Sequence, residues 1–395
     1  MKRTYTVLAL SLLVIIPVVS AASSMKVVTF SSPNPLTGNP GGFFGDSVAI
    51  SGNIVVIGAP NEGRAYIFST TGSLMATLTS PNPQPSTGFG APVATNGTLV
   101  VVGASGETVT GILGAGRAYV FATSGSLIAT LTSPDPQTPG SFGDGVAVSG
   151  TNIVVGAAYE SATGFSQAGH AYIYSNRLSL TTNVTSPNAQ TNGLFGAPVA
   201  VNGASIVIGG PGEAAGAGHA YIFNTTGSLI ATLASPNPQP SGGSFGPPGG
   251  CFGCSVGVRG TSVVIGAPNE AAAGFSVAGH AYIYNTNGAL ISTLVTPNPQ
   301  NQALFGFSVA TDGTNVVVGA PGETVAGFAS AGHSYLFSTT SRSVTLASTS
   351  PQFGGEFGTS VSAGPSTQNN RVAVMVGQPE AGGGPGHSYL FPALR

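Results

Sequence analysis

The chain is poor in charge: its 395 residues carry ten Lys and Arg and twelve Asp and Glu, 6% of the sequence. A surface that neutralises nucleic-acid phosphates needs clustered basic residues, so the sequence excludes that partner class. Solubility must come instead from Ser, Thr, Asn and Gln. Cysteine is scarce as well, only Cys251 and Cys254. Zinc would need four ligands and there is no second Cys pair, while thioredoxin-like redox chemistry would need a βαβ context that the sequence lacks. No stretch has the long 3.6-residue periodicity of an amphipathic helix. The only long apolar run lies near the N-terminus, so no membrane span is expected in the mature chain.

That run reads as a secretory signal peptide over residues 1–21. Lys2 and Arg3 form its basic start, Val7 to Val19 its apolar part, and Val19-Ser20-Ala21 its cleavage site. It falls short of the ~20 residues needed to cross a bilayer. Residues 22–395 then form the mature protein, with eight basic residues against twelve acidic ones and a net charge of −4. Secretion or display at the cell surface is expected. In that setting Asn96, Asn183 and Asn224, each in an Asn-x-Thr sequon, are candidate glycosylation sites. Cys251 and Cys254, spaced Cys-Phe-Gly-Cys after the inserted Pro247-Pro248-Gly249-Gly250, form a local disulfide or stay as two thiols; the disulfide is the expectation.

What the sequence has in abundance is turn residues, 60 Gly and 29 Pro, arranged in a repeat. Phe-Gly pairs begin at Phe44, Phe89, Phe142, Phe195, Phe252, Phe305 and Phe357, mostly about 53 residues apart. In the first six copies a second Gly follows 14 residues later (Gly58, Gly103, Gly156, Gly209, Gly266, Gly319), in a Gly-Ala-Pro element or a relative of it; the seventh copy is stretched to Gly377. A period near 50 residues made of short strand-like runs predicts an all-β, seven-bladed β-propeller in one domain, four strands per blade. The first copy divides into Ser47–Ile50, Ile54–Ile57, Ala65–Ser69 and Ser73–Thr79. The fourth strand ends in Ser-Pro-Asn-Pro or a relative of it, where two prolines take the chain out of the sheet.

Within the third strands, alternation places large residues such as His170, Tyr172 and Tyr174 on one face and Ala171 and Ile173 on the other. Bulky faces should therefore meet small ones between blades. Copy seven has no fourth strand of its own. Lys26–Ser32, followed by Pro33-Asn34-Pro35, is an orphan strand with the same exit element, and it is expected to complete blade seven and close the ring.

The pattern Phe305-Gly306-Phe307-Ser308-Val309-Ala310, with Val316–Pro321 and Gly332–Phe337, resembles FG-GAP repeats, related to the propeller of integrin alpha chains. The resemblance spans about Phe44 to Phe391 and implies the propeller fold. Integrin-type blades often carry an Asp-rich calcium loop between their first two strands. The equivalent segments here, Ser51-Gly52-Asn53, Thr95-Asn96-Gly97 and Thr311-Asp312-Gly313, hold one carboxylate at most, which is too little charge for calcium. No metal or other cofactor is expected.

Seven of the eight Glu follow the second Gly: Glu62, Glu107, Glu160, Glu213, Glu270, Glu323 and Glu380. His170, His219, His280, His333 and His387 open the third strand of the last five copies, with Arg64 and Arg117 at that position in the first two. Blade topology brings each Glu to the same edge as its own blade's His or Arg. Such a ring could serve acid–base chemistry or bind metal, or it could be a hydrogen bond that locks each blade. A seven-fold recurrence favours the lock. No nucleophile elbow, phosphate loop or His-Glu-x-x-His motif is present. The sequence points to a non-catalytic binding or adhesion module for an extracellular protein or glycan. An exported polysaccharide hydrolase or lyase and a passive envelope protein that self-associates are the alternatives.

Overall fold

A computed structural model describes residues 26–36, 38, 41–175, 178–239, 249–338, 343–365, 372–380 and 382–394. The expected signal peptide and Pro247-Pro248 lie outside the described residues. Seven antiparallel four-stranded sheets form the blades of a propeller. Blade one runs Val48–Ser51, Ile54–Ala59, Arg64–Ser69 and Leu74–Thr79, close to the strands read from the sequence. The first strands of all seven blades line a central cavity of about 360 Å³. Second strands such as Ile54–Ala59 are buried throughout, because their sheets are covered on both faces; they read as unbroken apolar runs for that reason.

Side chains of opposite size meet at each seam between blades. Ala49, Val56, Ala65 and Ile67 of blade one pack against Phe89, Tyr119 and Phe121 of blade two. Within a blade the Phe of Phe-Gly anchors the aromatic face, as where Phe44 lies 5.7 Å from the ring of Tyr66 and edge-on to Phe68. The two repeated glycines meet across the same seams. A Cβ on Gly58 would fall 1.9 Å from the carbonyl oxygen of Gly90, and the equivalent distance is 1.8–2.1 Å at all seven seams, the last joining Gly377 to Gly45. Only glycine permits that approach, which explains why the two halves of the repeat are spaced as they are.

The ring closes as the orphan strand suggested. Val28–Ser31 pairs antiparallel with His387–Leu394, in register from Val28 opposite Leu390 to Ser31 opposite His387. Blade seven therefore consists of Val361–Pro365, Val372–Gln378, His387–Leu394 and the N-terminal strand. Phe30 of that strand is buried against the aromatic face of blade one, 5.2 Å from Phe68. Deleting Lys26–Ser32 removes a strand, a seam contact and an edge cover together. The shortened protein should lose cooperative stability as a whole, with a melting temperature lowered by several degrees in calorimetry; an unchanged melting transition of a monomer would refute the closure.

Candidate functional site

The seven repeated Glu side chains share one face of the ring, where second strands end and third strands begin. They are buried, five of them at 0% exposure, so each carboxylate must find partners within the protein. In six blades the tyrosine two residues into the third strand donates its hydroxyl to the Glu. The distances are 2.5 Å for Tyr66–Glu62, 2.6 Å for Tyr119–Glu107, Tyr172–Glu160 and Tyr335–Glu323, and 2.5 Å for Tyr282–Glu270; Tyr221 bonds Glu213 likewise. Burial, then the bond to Glu107, pushes the Tyr119 hydroxyl up to about 12, so it stays protonated and donates.

The remaining partners come from the preceding blade. Ser80 donates to Glu107 at 2.5 Å, Thr296 to Glu323 at 2.5 Å, Ser32 to Glu62 at 2.9 Å, and Ser235 bonds Glu270. In blades three, four and seven the same hydroxyl meets the tyrosine instead, Ser133 with Tyr172, Ser186 with Tyr221 and Ser348 with Tyr389. These residues open the proline exit element. The Gln that closes it accepts from the backbone N–H just after the next blade's Glu: Gln84 from Thr108, Gln137 from Ser161, Gln239 from Ala271 and Gln300 from Thr324. The exit element is thus a latch across the seam, a role that the sequence reading did not assign to it. The signal was present as a hydroxyl residue at the same place in every copy.

The His and Arg positions fall beside the Glu, as expected, in six blades. Arg117 bonds Glu107 at 2.9 Å, and the Nδ1 atoms of His219, His333 and His387 bond Glu213, Glu323 and Glu380 at 3.0, 2.7 and 2.6 Å. His170 and His280 lie 3.1 and 2.9 Å from Glu160 and Glu270, but their rings stack on Tyr172 and Tyr282 at interplanar angles of 26° and 24° and their Nδ1 atoms make no directed hydrogen bond. Blade one departs from the expectation: Arg64 donates to the backbone carbonyl of Glu62 rather than to its carboxylate. Burial raises the Glu62 carboxyl, outweighing the hydrogen bonds of Tyr66 and Ser32 and the charge of Arg64. At Glu380 burial acts the same way, but the hydrogen bond and charge of His387 outweigh it and hold the carboxyl below the ordinary value.

Longer connections between second and third strands stand on this face in blades two, three, five and six. Each folds into a finger pinned by a β-bridge: Val109 with Ile112, Ala162 with Phe165, Ala272 with Phe275, and Val325 with Phe328. Two left-handed residues turn each finger, Thr110-Gly111 in blade two and Ala326-Gly327 in blade six, as in a tight hairpin. Behind the turn, Phe165, Phe275 and Phe328 remain 43%, 37% and 44% exposed, and Leu113 is exposed in blade two. Finger bases are tied to the next blade, for example by Leu194 N–H to Gln167 and Phe195 N–H to Ala168.

The remaining sequence candidates lie apart. Cys251 and Cys254 are bridged, Cα atoms 5.4 Å apart, around Phe252-Gly253. Asn96 spends its amide on the carbonyl of Gly150 in the next blade, so a glycan there would break a seam contact. Asn183 is exposed on an outer strand, and Asn224 closes a turn by accepting from Thr226 and Ser228. Asp312 closes its own turn onto Thr314 and Asn315. Among the described residues no helix is long and apolar enough to cross a membrane.

Glu323 has four partners, Thr296, Asn298, His333 and Tyr335. Glu323→Gln should cost about 2 kcal/mol of stability, the scale of charge-assisted hydrogen bonds, in denaturant melts. Glu62→Gln should cost less, because a raised carboxyl means that ionised Glu62 is disfavoured in the folded state. The pH response follows the same signs. Glu380, held low, contributes stability above the ordinary carboxylate value that is lost as pH falls through its folded value, so Glu380→Gln should flatten the acid limb of stability against pH.

The sequence model described as FG-GAP repeat matches residues 36–68, 73–121, 126–174 and 290–337. Three of the matched units, 73–121, 126–174 and 290–337, run from the fourth strand of one blade to the third strand of the next, so they contain the latch and its Glu. No curated protein sequence matches. Among solved structures, the fold is similar to that of a streptogramin B lyase (TM-score 0.61, 10% identity, 92% of this chain and 96% of that one). It is also similar to the WD40 domain of Neurospora crassa Pan2 (TM-score 0.51, 9% identity, 87% of each chain). Identities this low speak to fold alone. The matches and the seven closed blades together show a β-propeller that carries FG-GAP repeats.

Proposed function

We propose that the protein is an exported, non-catalytic binding module that presents the fingered face of its propeller to an extracellular protein or glycan. The observation that carries this reading is the set of fingers. Glycine contacts repeat at every seam, whereas among the described residues the fingers occur in four of seven blades and hold three aromatic rings and a leucine in water on hairpins. Exposed rings on a pre-ordered backbone suit stacking on a sugar or seating in a protein pocket at small entropic cost. The repeated carboxylates support no catalytic role in this reading, since they are buried in the seams and bonded to scaffold tyrosines. Export rests on the N-terminal sequence, with its basic start and apolar run.

The test is a glycan array and a cell-surface binding assay with the secreted protein, run beside a polysaccharide-degradation screen. A triple Phe165→Ala, Phe275→Ala, Phe328→Ala variant should lose at least tenfold in binding at an unchanged melting temperature. Full binding by that variant, or turnover of a polysaccharide, would contradict the proposal.

A further inference from the structure

The residue after each Phe-Gly pair sits around the axis at the mouth of the central cavity. Reading round the ring these are Asp46, Ala91, Asp144, Ala197, Cys254, Phe307 and Thr359. This position varies widely in chemistry while the Phe-Gly pair before it is constant. Ala91 and Ala197 establish that the scaffold needs only a small neutral residue there, so the repeat provides its own control.

Asp144 lines a cavity of about 230 Å³ at this mouth together with Phe307, Ala197, Cys254, Thr359 and Ser360. Its side chain is half-buried there, and among the described residues it has neither hydrogen-bond nor ion-pair partner. Desolvation by the surrounding blades pushes its carboxyl up to about 6; Asp46 is pushed up to about 6 by burial and then by Glu356. The nearby cations are engaged elsewhere. Arg117, whose carbonyl abuts Gly143, is turned to Glu107 and Thr108, and Arg64 to the carbonyl of Glu62. A half-buried carboxylate without a partner is incompletely solvated, and it lines the same cavity as the exposed ring of Phe307.

We propose that this axial mouth binds a small alkylammonium cation, with the Asp144 carboxylate as its counter-ion and the Phe307 ring as its second wall. A carboxylate supplies charge and hydrogen-bond acceptors, and an aromatic face adds attraction for a weakly hydrated cation. The site is separate from the fingers and does not rest on the function proposed for them. The cation can be a free amine or a lysyl side chain of a partner, since both offer the same group.

The test is a titration with n-propylammonium, with uncharged n-butanol as isostere, followed by ligand-observed NMR in 150 mM NaCl. At pH 7.5 n-propylammonium should bind at least tenfold more tightly than n-butanol. Asp144→Asn should abolish that preference while leaving the melting temperature equal or higher, because it removes an unpaired, partly desolvated charge. Phe307→Ala should weaken n-propylammonium binding several-fold, and lowering the pH from 7.5 to 5 should weaken it at least fivefold. An Nα-acetyl-lysine amide that competes with n-propylammonium extends the site to lysyl side chains, and one that does not compete confines it to free amines. No preference for the ammonium over n-butanol, or a preference that survives Asp144→Asn, would overturn the proposal.

Discussion

Seven carboxylates buried at the seams between blades are the constraint around which the rest is arranged. An ionised carboxylate taken from water is very costly unless it is fully hydrogen-bonded, so each Glu dictates what must surround it. In six blades its own blade supplies a tyrosine hydroxyl and, in six, a His or Arg. In four blades the preceding blade adds a Ser or Thr hydroxyl to the Glu, and in the other three that hydroxyl holds the tyrosine instead. The buried charge thereby converts seven separate sheets into a ring whose members need one another, a nearest-neighbour coupling of the kind found in repeat proteins.

Backbone contact enforces the same dependence from the other side of the seam. Where the second glycine of one blade touches the Phe-Gly carbonyl of the next, any side chain would push the blades apart. Ser255, Ser308 and Ser360 add a hydroxyl bond to those same carbonyls. The aromatic face beside it then packs on small residues, so polar latch, glycine contact and apolar core lie in one interface. Ring closure by the N-terminal strand fits this logic, because Ser32 carries the latch from blade seven to Glu62 of blade one.

Much of this was legible in the sequence because a repeat multiplies weak signals. Strand positions, blade number, the alternation of large and small residues and the closing strand all followed from spacing. The pairing of Glu with His or Arg also followed in six blades, since blade topology brings both to one edge. The seam partners were not legible. A serine before proline reads locally as a turn residue, and only the three-dimensional rotation between blades places Ser80 on Glu107 rather than on its own chain. Arg64 misled for a related reason. The connection in blade one is short, Asn61-Glu62-Gly63, and it brings the guanidinium onto the carbonyl of Glu62 instead of its carboxylate. The fingers were hidden because their Phe residues look like core residues until the β-bridge turns them outward.

Function in such a ring is expected where symmetry fails, since the seams are alike and consumed by structure. The fingers and the axial mouth are two such places. The account as a whole depends on the latch coupling neighbouring blades, and a double-mutant cycle tests that most directly. Ser235 stands in blade four and Glu270 in blade five, joined by the latch bond. Stabilities of Ser235→Ala, Glu270→Gln and the double variant should show a coupling of about 1 kcal/mol or more, the scale of a charge-assisted hydrogen bond. Strict additivity of the two substitutions would mean that the buried carboxylates do not tie the blades together.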